Sequence, residues 1–127
     1  MKNVTLTPHS VGSHIIADLY GIKDLKNLDS LEDFERILKT AAKEANMKVI
    51  GETWNKFEPQ GLTGCLLISE SHFTVHTWPE FEFISVDIYS CGNEGDVNVA
   101  FESLKRQLNP DMNRSVVQHI DRSIYPK

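Results

Sequence analysis

Thirteen residues in mid-chain, Ile68-Ser69-Glu70-Ser71-His72-Phe73-Thr74-Val75-His76-Thr77-Trp78-Pro79-Glu80, constrain this polypeptide more than any other segment. Thr74, Val75, Thr77 and Trp78 favour an extended chain, because β-branched and aromatic side chains pack well on a pleated surface. Period-two alternation then sets Glu70, His72, Thr74, His76 and Trp78 on one face and Ser71 on the other. Two histidines, two carboxylates and two serines are more polar chemistry than packing requires. The strand therefore reads as a carrier of function rather than as a plain solvent-facing edge.

Around this strand the remaining elements follow from pattern and punctuation. Residues 1–11 are polar, carry Pro8 and read as a loose arm before a strand at 14–20 that Gly21 ends. Asp29 or Ser30 can cap a helix whose apolar positions Leu31, Phe34, Ile37, Leu38, Ala41, Ala42 and Ala45 recur at helical spacing. Residues 47–57 and 62–69 read as strands on either side of the Glu58-Pro59-Gln60-Gly61 turn. A strand over 83–90, a loop over 91–95, a second amphipathic helix over 96–108 and a strand over 116–120 complete the chain.

Two helices against mostly antiparallel strands imply a single α+β domain over residues 1–127, a two-layer α/β sandwich with both helices on one sheet face. Leu66, Ile68, Phe73, Val75, Ile84, Val86 and Ile88 are many apolar strand residues for one thin layer, which points to a second protomer over the other face. At 127 residues the chain can bury one core without staples. Thirteen basic against eighteen acidic residues leave a net charge of −5, with no basic run longer than Lys105-Arg106, so a nucleic-acid groove is not expected. No apolar run approaches the roughly 20 residues that cross a bilayer, and the start lacks the form of a signal peptide, so a cytoplasmic protein with no membrane association is expected. Cys65 and Cys91 are expected as free thiols, Cys65 as a buried inert one. His9, His14 and His119 are scattered without ligand spacing, which argues against a metal site.

The run at 68–80, followed by Val86-Asp87-Ile88-Tyr89-Ser90-Cys91-Gly92, resembles the prokaryotic S-adenosylmethionine decarboxylase proenzymes. The resemblance extends upstream through Lys56-Phe57-Glu58-Pro59-Gln60-Gly61-Leu62-Thr63-Gly64 and, more loosely, to Gly12-Ser13-His14-Ile15-Ile16-Ala17-Asp18-Leu19-Tyr20. It implies a homodimer and a pyruvoyl-dependent decarboxylase that supplies the aminopropyl donor for polyamine (spermidine) synthesis.

The chemistry explains why such a strand is needed. Decarboxylating an α-amino acid requires a sink for the electron pair of the broken bond, and a carbonyl able to form a Schiff base provides one. Nothing in so short a chain resembles a pyridoxal phosphate enzyme, so the sink must be made from the polypeptide. In the reading the resemblance implies, the Ser71 hydroxyl attacks the carbonyl of Glu70, an ester replaces the peptide bond, and β-elimination across Cα and Oγ releases the upstream piece. Hydrolysis of the resulting imine leaves a pyruvoyl group derived from Ser71, on fragments 1–70 and 71–127.

Resemblance assigns the remaining roles. His76 is the base in self-processing, a task that a neutral imidazole suits near pH 7. Thr63 stands where the family usually has Ser, in Gly-Val-Ser-Gly, and retains the hydroxyl. Cys91 is the proton donor at the substrate carbon. Phe57 matches the aromatic residue that stacks on adenine, and Glu80 the carboxylate that holds the ribose hydroxyls. His72 and Trp78 are motif residues with no assigned step, left to packing or hydrogen bonding.

Two further readings remain. Pyruvoyl relatives decarboxylate arginine or ornithine, and here Phe81-Glu82-Phe83-Ile84-Ser85 replaces the usual Tyr-Gly-Tyr-Ala-Ala, placing a carboxylate able to pair with a guanidinium or ammonium group. The stretch His119-Ile120-Asp121-Arg122-Ser123 also resembles the Asp-Arg-Ser close of archaeal arginine decarboxylases of this fold, whereas residues 56–61 keep the nucleoside-binding pattern. The other reading is a non-catalytic paralogue serving as a binding subunit, against which stands the joint presence of Ser71, His76 and Cys91.

Overall fold

The computed structural model describes residues 9–91 and 95–125. Six strands and three helices follow in the order β1 (His9–Leu19), α1 (Leu25–Asp29), α2 (Leu31–Glu44), β2 (Val49–Lys56), β3 (Leu62–Ile68), β4 (Ser71–Trp78), β5 (Phe83–Ser90), α3 (Val97–Leu108) and β6 (Val116–Ile124), with a 3-10 turn at Pro79–Phe81. The strands form one antiparallel sheet in the order β2-β3-β4-β5-β1-β6, so the chemistry-bearing β4 lies inside the sheet between β3 and β5.

Local chemistry sets most boundaries. Ser30 Oγ accepts the N–H of Asp33 and opens α2, whose first turn carries Glu32 and Asp33 against the positive end of the helix. Asp96 does the same for α3 by accepting from the N–H groups of Asn98 and Val99, and Asn109 ends that helix in the left-handed region. The helix α1, five residues capped by Asp24, was not expected, because so short a helix has no periodicity to read. Strand β1 begins inside the expected loose arm, since its first residues pair with the distant Ser123 and Ile124. Residues 1–8 of that arm and residues 92–94 of the expected loop lie outside the described residues.

Helices α2 and α3 pack against each other, α2 on β2 and β3 and α3 on β1 and β5. Phe34, Ile37, Leu38, Ala41 and Ala42 from α2 and Ala100, Phe101, Leu104 and Leu108 from α3 share one core with Ile15, Ala17 and Leu19 of β1. Leu66, Ile68, Phe73, Val75, Ile84, Val86 and Ile88 all belong to this same core and are at most 4% exposed. These seven residues are buried within the chain against the helices, so their burial does not by itself point to a second protomer. The opposite sheet face carries a different set, with Ile16, Leu67, Trp78, Val116 and Ile120 exposed and assigned to that face by the strand register. Strand β6 is exposed along its whole length.

Candidate active site

The turn from β3 to β4 presents the Glu70–Ser71 peptide at one end of the sheet. Ser71 opens β4, facing Ile68 on one side and Ser90 on the other. Immediately after Ser90, Cys91 turns back onto the same peptide: its backbone N–H donates to the Glu70 carbonyl oxygen at 3.2 Å, and its thiol donates to that same oxygen. Two donors on one carbonyl are the arrangement that stabilises an oxyanion forming there. The Ser71 hydroxyl beside it is shielded from solvent and has no hydrogen-bond partner among the described residues. Leaving a buried hydroxyl unpaired costs about 1–3 kcal/mol, which fits a group held for reaction rather than for packing. With two donors on the carbonyl oxygen and a hydroxyl on the next residue that has no partner among the described residues, the arrangement suits attack of that hydroxyl on the carbonyl carbon.

A second cluster occupies the other end of β4. Thr63 faces His76 across the β3–β4 ladder, and its Oγ1 lies 2.9 Å from His76 Nδ1. With Nδ1–H donating to Oγ1, His76 Nε2 keeps its lone pair for proton removal. Phe57, Gly61, Thr63, His76, Trp78 and Glu80 line one cleft, so the four residues assigned to base, hydroxyl, stacking and ribose roles do come together. Trp78 is also there, its ring 6.3 Å from that of His76 and 5.3 Å from that of Phe83. Gly64, next to Thr63, lies under the Trp54 ring, where a Cβ would come within 2.2 Å of the indole.

The structure does not bring the two clusters together. Ser71 and His76 are five residues apart on one strand, roughly 16 Å at the rise of an extended chain. Within one protomer His76 and Thr63 therefore do not reach Ser71. The alternation separates them as well, for Phe73, Val75 and Thr77 face the core whereas His72, Thr74 and His76 face away from it.

Several contributors escaped the sequence. Asp29, at the end of α1, accepts from the Gly61 N–H at 2.9 Å and from Lys56 Nζ at 2.7 Å, tying down the turn that carries Phe57. The Lys56 hydrogen bond and then the Gly61 N–H hold its carboxyl below the ordinary aspartate value. Asp87, on the face away from the helices, accepts from His14 Nε2 at 2.5 Å and from His72 Nε2 at 3.1 Å. Partial burial raises the Asp87 pKa, but the hydrogen bonds from His14 and His72 outweigh it, so the net shift is downward. Spacing had set His14 apart from any cluster; register brings it beside His72, and only a known strand order could have found this.

Cys65 differs from its expected setting, and Glu82, whose role the sequence leaves open, lies apart from the Phe57 cleft. Cys65 is free but only half-buried, accepting from Thr74 Oγ1 at 3.4 Å on the face away from the core. Glu82 pairs with Lys23 at 3.0 Å and adopts φ 54°, ψ 40°. That left-handed backbone explains the family's glycine here, since glycine enters it without steric cost. Among the described residues no helix is long and apolar enough to cross a membrane.

Comparison with known proteins identifies the family. The family model described as S-adenosylmethionine decarboxylase matches residues 13–123. An S-adenosylmethionine decarboxylase proenzyme of Aquifex aeolicus is 42% identical over 101 residues, covering 80% of this chain and 74% of that one. The proenzyme of Thermosipho africanus is 40% identical over 111 residues, 87% of this chain and 84% of its own. The crystal structure of the adenosylmethionine decarboxylase from Aquifex aeolicus superimposes with a TM-score of 0.82 at 38% identity, covering 91% of this chain and 92% of that one. The chain belongs to the S-adenosylmethionine decarboxylase family.

Proposed function

We propose that this chain is a proenzyme that cleaves itself between Glu70 and Ser71 and then decarboxylates S-adenosylmethionine as a homodimer of cleaved protomers. The observation that carries the cleavage reading is the convergence of the Cys91 N–H and thiol on the Glu70 carbonyl oxygen beside an unpartnered Ser71 hydroxyl. The attack of Ser71 Oγ on that carbonyl carbon puts negative charge on the oxygen that Cys91 already contacts, so the donors need no reorganisation. His76 takes a proton from Ser71 Cα as the ester is eliminated. Elimination breaks the Cβ–Oγ bond, so the upstream chain leaves as the Glu70 carboxylate and residue 71 becomes a dehydroalanine whose imine tautomer is hydrolysed by water, releasing ammonia and leaving the pyruvoyl group at the start of the downstream chain. That group supplies the electron sink that decarboxylation requires.

Phe57 and Glu80 then bind and orient the nucleoside, the ring by stacking and the carboxylate by accepting from ribose hydroxyls. Cys91 holds its thiol proton at the reacting end, where the substrate carbon must be reprotonated. A reading centred on arginine or ornithine loses its main support, because the Glu82 carboxylate is engaged by Lys23.

The separation of Ser71 from His76 supports a two-protomer site. If the base must reach the Ser71 Cα, and about 16 Å of rigid strand lies between them, the His76 that serves one Ser71 belongs to the other protomer. A two-fold axis running across the strands brings the Ser71 end of one β4 over the His76 end of its partner. The helices form one layer on one sheet face, and the apolar residues on the other face give the partner something to cover. Free Cys65 and Cys91 fit a reducing, cytoplasmic setting.

Intact-mass measurement tests the cleavage reading. Purified protein should give fragments of residues 1–70 and 71–127, the latter with a blocked start, and Ser71→Ala should remain one chain. Persistent full-length wild type without activity would contradict it.

A further inference from the structure

On the sheet face away from the helices, four side chains from four strands form a continuous chain of hydrogen bonds. Arg122 of β6 reaches His14 Nδ1 at 3.0 Å, His14 Nε2 reaches Asp87 Oδ1 at 2.5 Å, and His72 Nε2 reaches the same Oδ1 at 3.1 Å. A guanidinium has no acceptor, so His14 Nδ1 must accept and His14 Nε2–H must donate to Asp87. The Arg122 guanidinium also lies 5.6 Å from the centre of the Tyr89 ring, which fixes its position.

His14, His72 and Asp87 offer donor atoms all within 4.8 Å of one another, a set that invites a divalent metal. The tautomer weighs against that use. A metal needs the lone pair of His14 Nε2, which would move the proton to Nδ1 and set it against the Arg122 N–H. The network is instead complete as a hydrogen-bonded brace whose end is His72.

His72 follows Ser71 directly. Before cleavage the Glu70–Ser71 bond and the Cys91 contacts to Glu70 hold this part of the chain. Once the bond is cut, the Cys91 contacts stay with the upstream fragment and residue 71 becomes a chain end, where strands fray. Among the described residues, the side-chain hydrogen bond nearest to that new end on its own strand is the one from His72 to Asp87. We infer that Asp87, braced by His14 and Arg122, is a positioning residue that acts through His72 to hold the newly formed start of the downstream chain. This inference rests on the cleavage reading above.

The two stages should respond differently to its removal. His72→Phe leaves the Arg122–His14–Asp87 part in place, and Asp87→Ala removes the brace from the other side. Both should be cleaved to the same extent as wild type. In the cleaved protein kcat should fall about tenfold to hundredfold, because displacement of a reacting group by an ångström has that effect, while KM for S-adenosylmethionine changes little. Hydrogen exchange at the Phe73 amide of the cleaved chain should speed up about tenfold or more. The double variant should be no worse than the worse single one, and Asp87→Asn, which keeps an acceptor oxygen, should recover part of kcat.

Wild-type kcat and exchange in cleaved His72→Phe would overturn the inference, as would cleavage falling in proportion to kcat. Added zinc should leave the melting temperature of wild type unchanged; a rise in wild type that His72→Phe abolishes would make the cluster a metal site and overturn the brace. If wild type itself is never cleaved, the cleavage reading has failed and the inference falls with it, whereas a cleaved and active wild type isolates the result to positions 72 and 87.

Discussion

Ser71 and His76 share strand β4 but stand at opposite ends of it, Ser71 facing Ile68 and Ser90, His76 facing Thr63 and Ser85. Each has assembled half of an apparatus. Around Ser71 are the Glu70 carbonyl and the two Cys91 donors; around His76 are the Thr63 hydroxyl and the cleft of Phe57 and Glu80. In the proposed two-protomer site the two clusters meet across the dimer, since an internal strand keeps them about 16 Å apart within one protomer.

In the proposed reading Cys91 serves two stages, and its substitution should separate them. In Cys91→Ala the backbone N–H remains on the Glu70 carbonyl while the thiol is lost. Self-cleavage should slow by about tenfold, less than the loss of a strong oxyanion donor. The cleaved product should lose lasting decarboxylation, either outright or through misdirected protonation of the substrate. Cleavage time courses by mass, followed by carbon dioxide release, measure both.

Phe57 is half-exposed in the free chain and lies at the mouth of the second cluster. Removing a stacking surface worth about 1 kcal/mol should raise KM for S-adenosylmethionine about fivefold in Phe57→Ala. Self-cleavage needs no nucleoside, so its rate should be unchanged. Steady-state kinetics beside cleavage kinetics decide this.

How much of this was legible in the sequence depends on whether the signal is local. Strand β5 is legible in the sequence with its observed bounds, and α2 and α3 to within a residue, because strand alternation and helical spacing of apolar residues are carried by adjacent residues. The residues of the second cluster were legible through resemblance, and their meeting in one cleft follows from the β3–β4 hairpin. The separation of Ser71 from His76 was not drawn, although five residues on a strand imply it. Asp87 with His14, and Asp29 with Gly61, were out of reach, since these pairs are 73 and 32 residues apart in sequence and depend on the sheet order.

Glu82 offers a stability test of the departure from the family's glycine. Its left-handed backbone costs an ordinary residue about 1–2 kcal/mol, and its exposed pair with Lys23 returns about 0–1 kcal/mol. Glu82→Gly should therefore raise the melting temperature by a few degrees and leave substrate preference unchanged. Thermal melts and parallel assays with S-adenosylmethionine, arginine and ornithine check this. Selective loss of an arginine or ornithine activity would return position 82 to the substrate site.

Acid should weaken the fold through Asp87 in a defined direction. Its folded pKa lies below its ordinary value, so its contribution is complete above about pH 4, the unfolded value, and is lost as pH falls through the lower folded value. Stability of Asp87→Asn should accordingly fall less steeply than wild type below about pH 4. Equilibrium denaturant titrations across that range measure the difference in slope.

The most direct test of a site shared between protomers is complementation. Ser71→Ala lacks the nucleophile and His76→Ala lacks the base, so each alone should remain uncleaved. Co-expressed with distinguishable tags, the two variants should form mixed dimers in which an intact Ser71 on the His76→Ala chain meets an intact His76 on the Ser71→Ala chain. The account predicts that the His76→Ala chain, and only that chain, is cut between Glu70 and Ser71, with decarboxylase activity appearing alongside. If both chains stay whole in verified mixed dimers, or if His76→Ala cleaves normally on its own, the site is not built from two protomers in the way proposed.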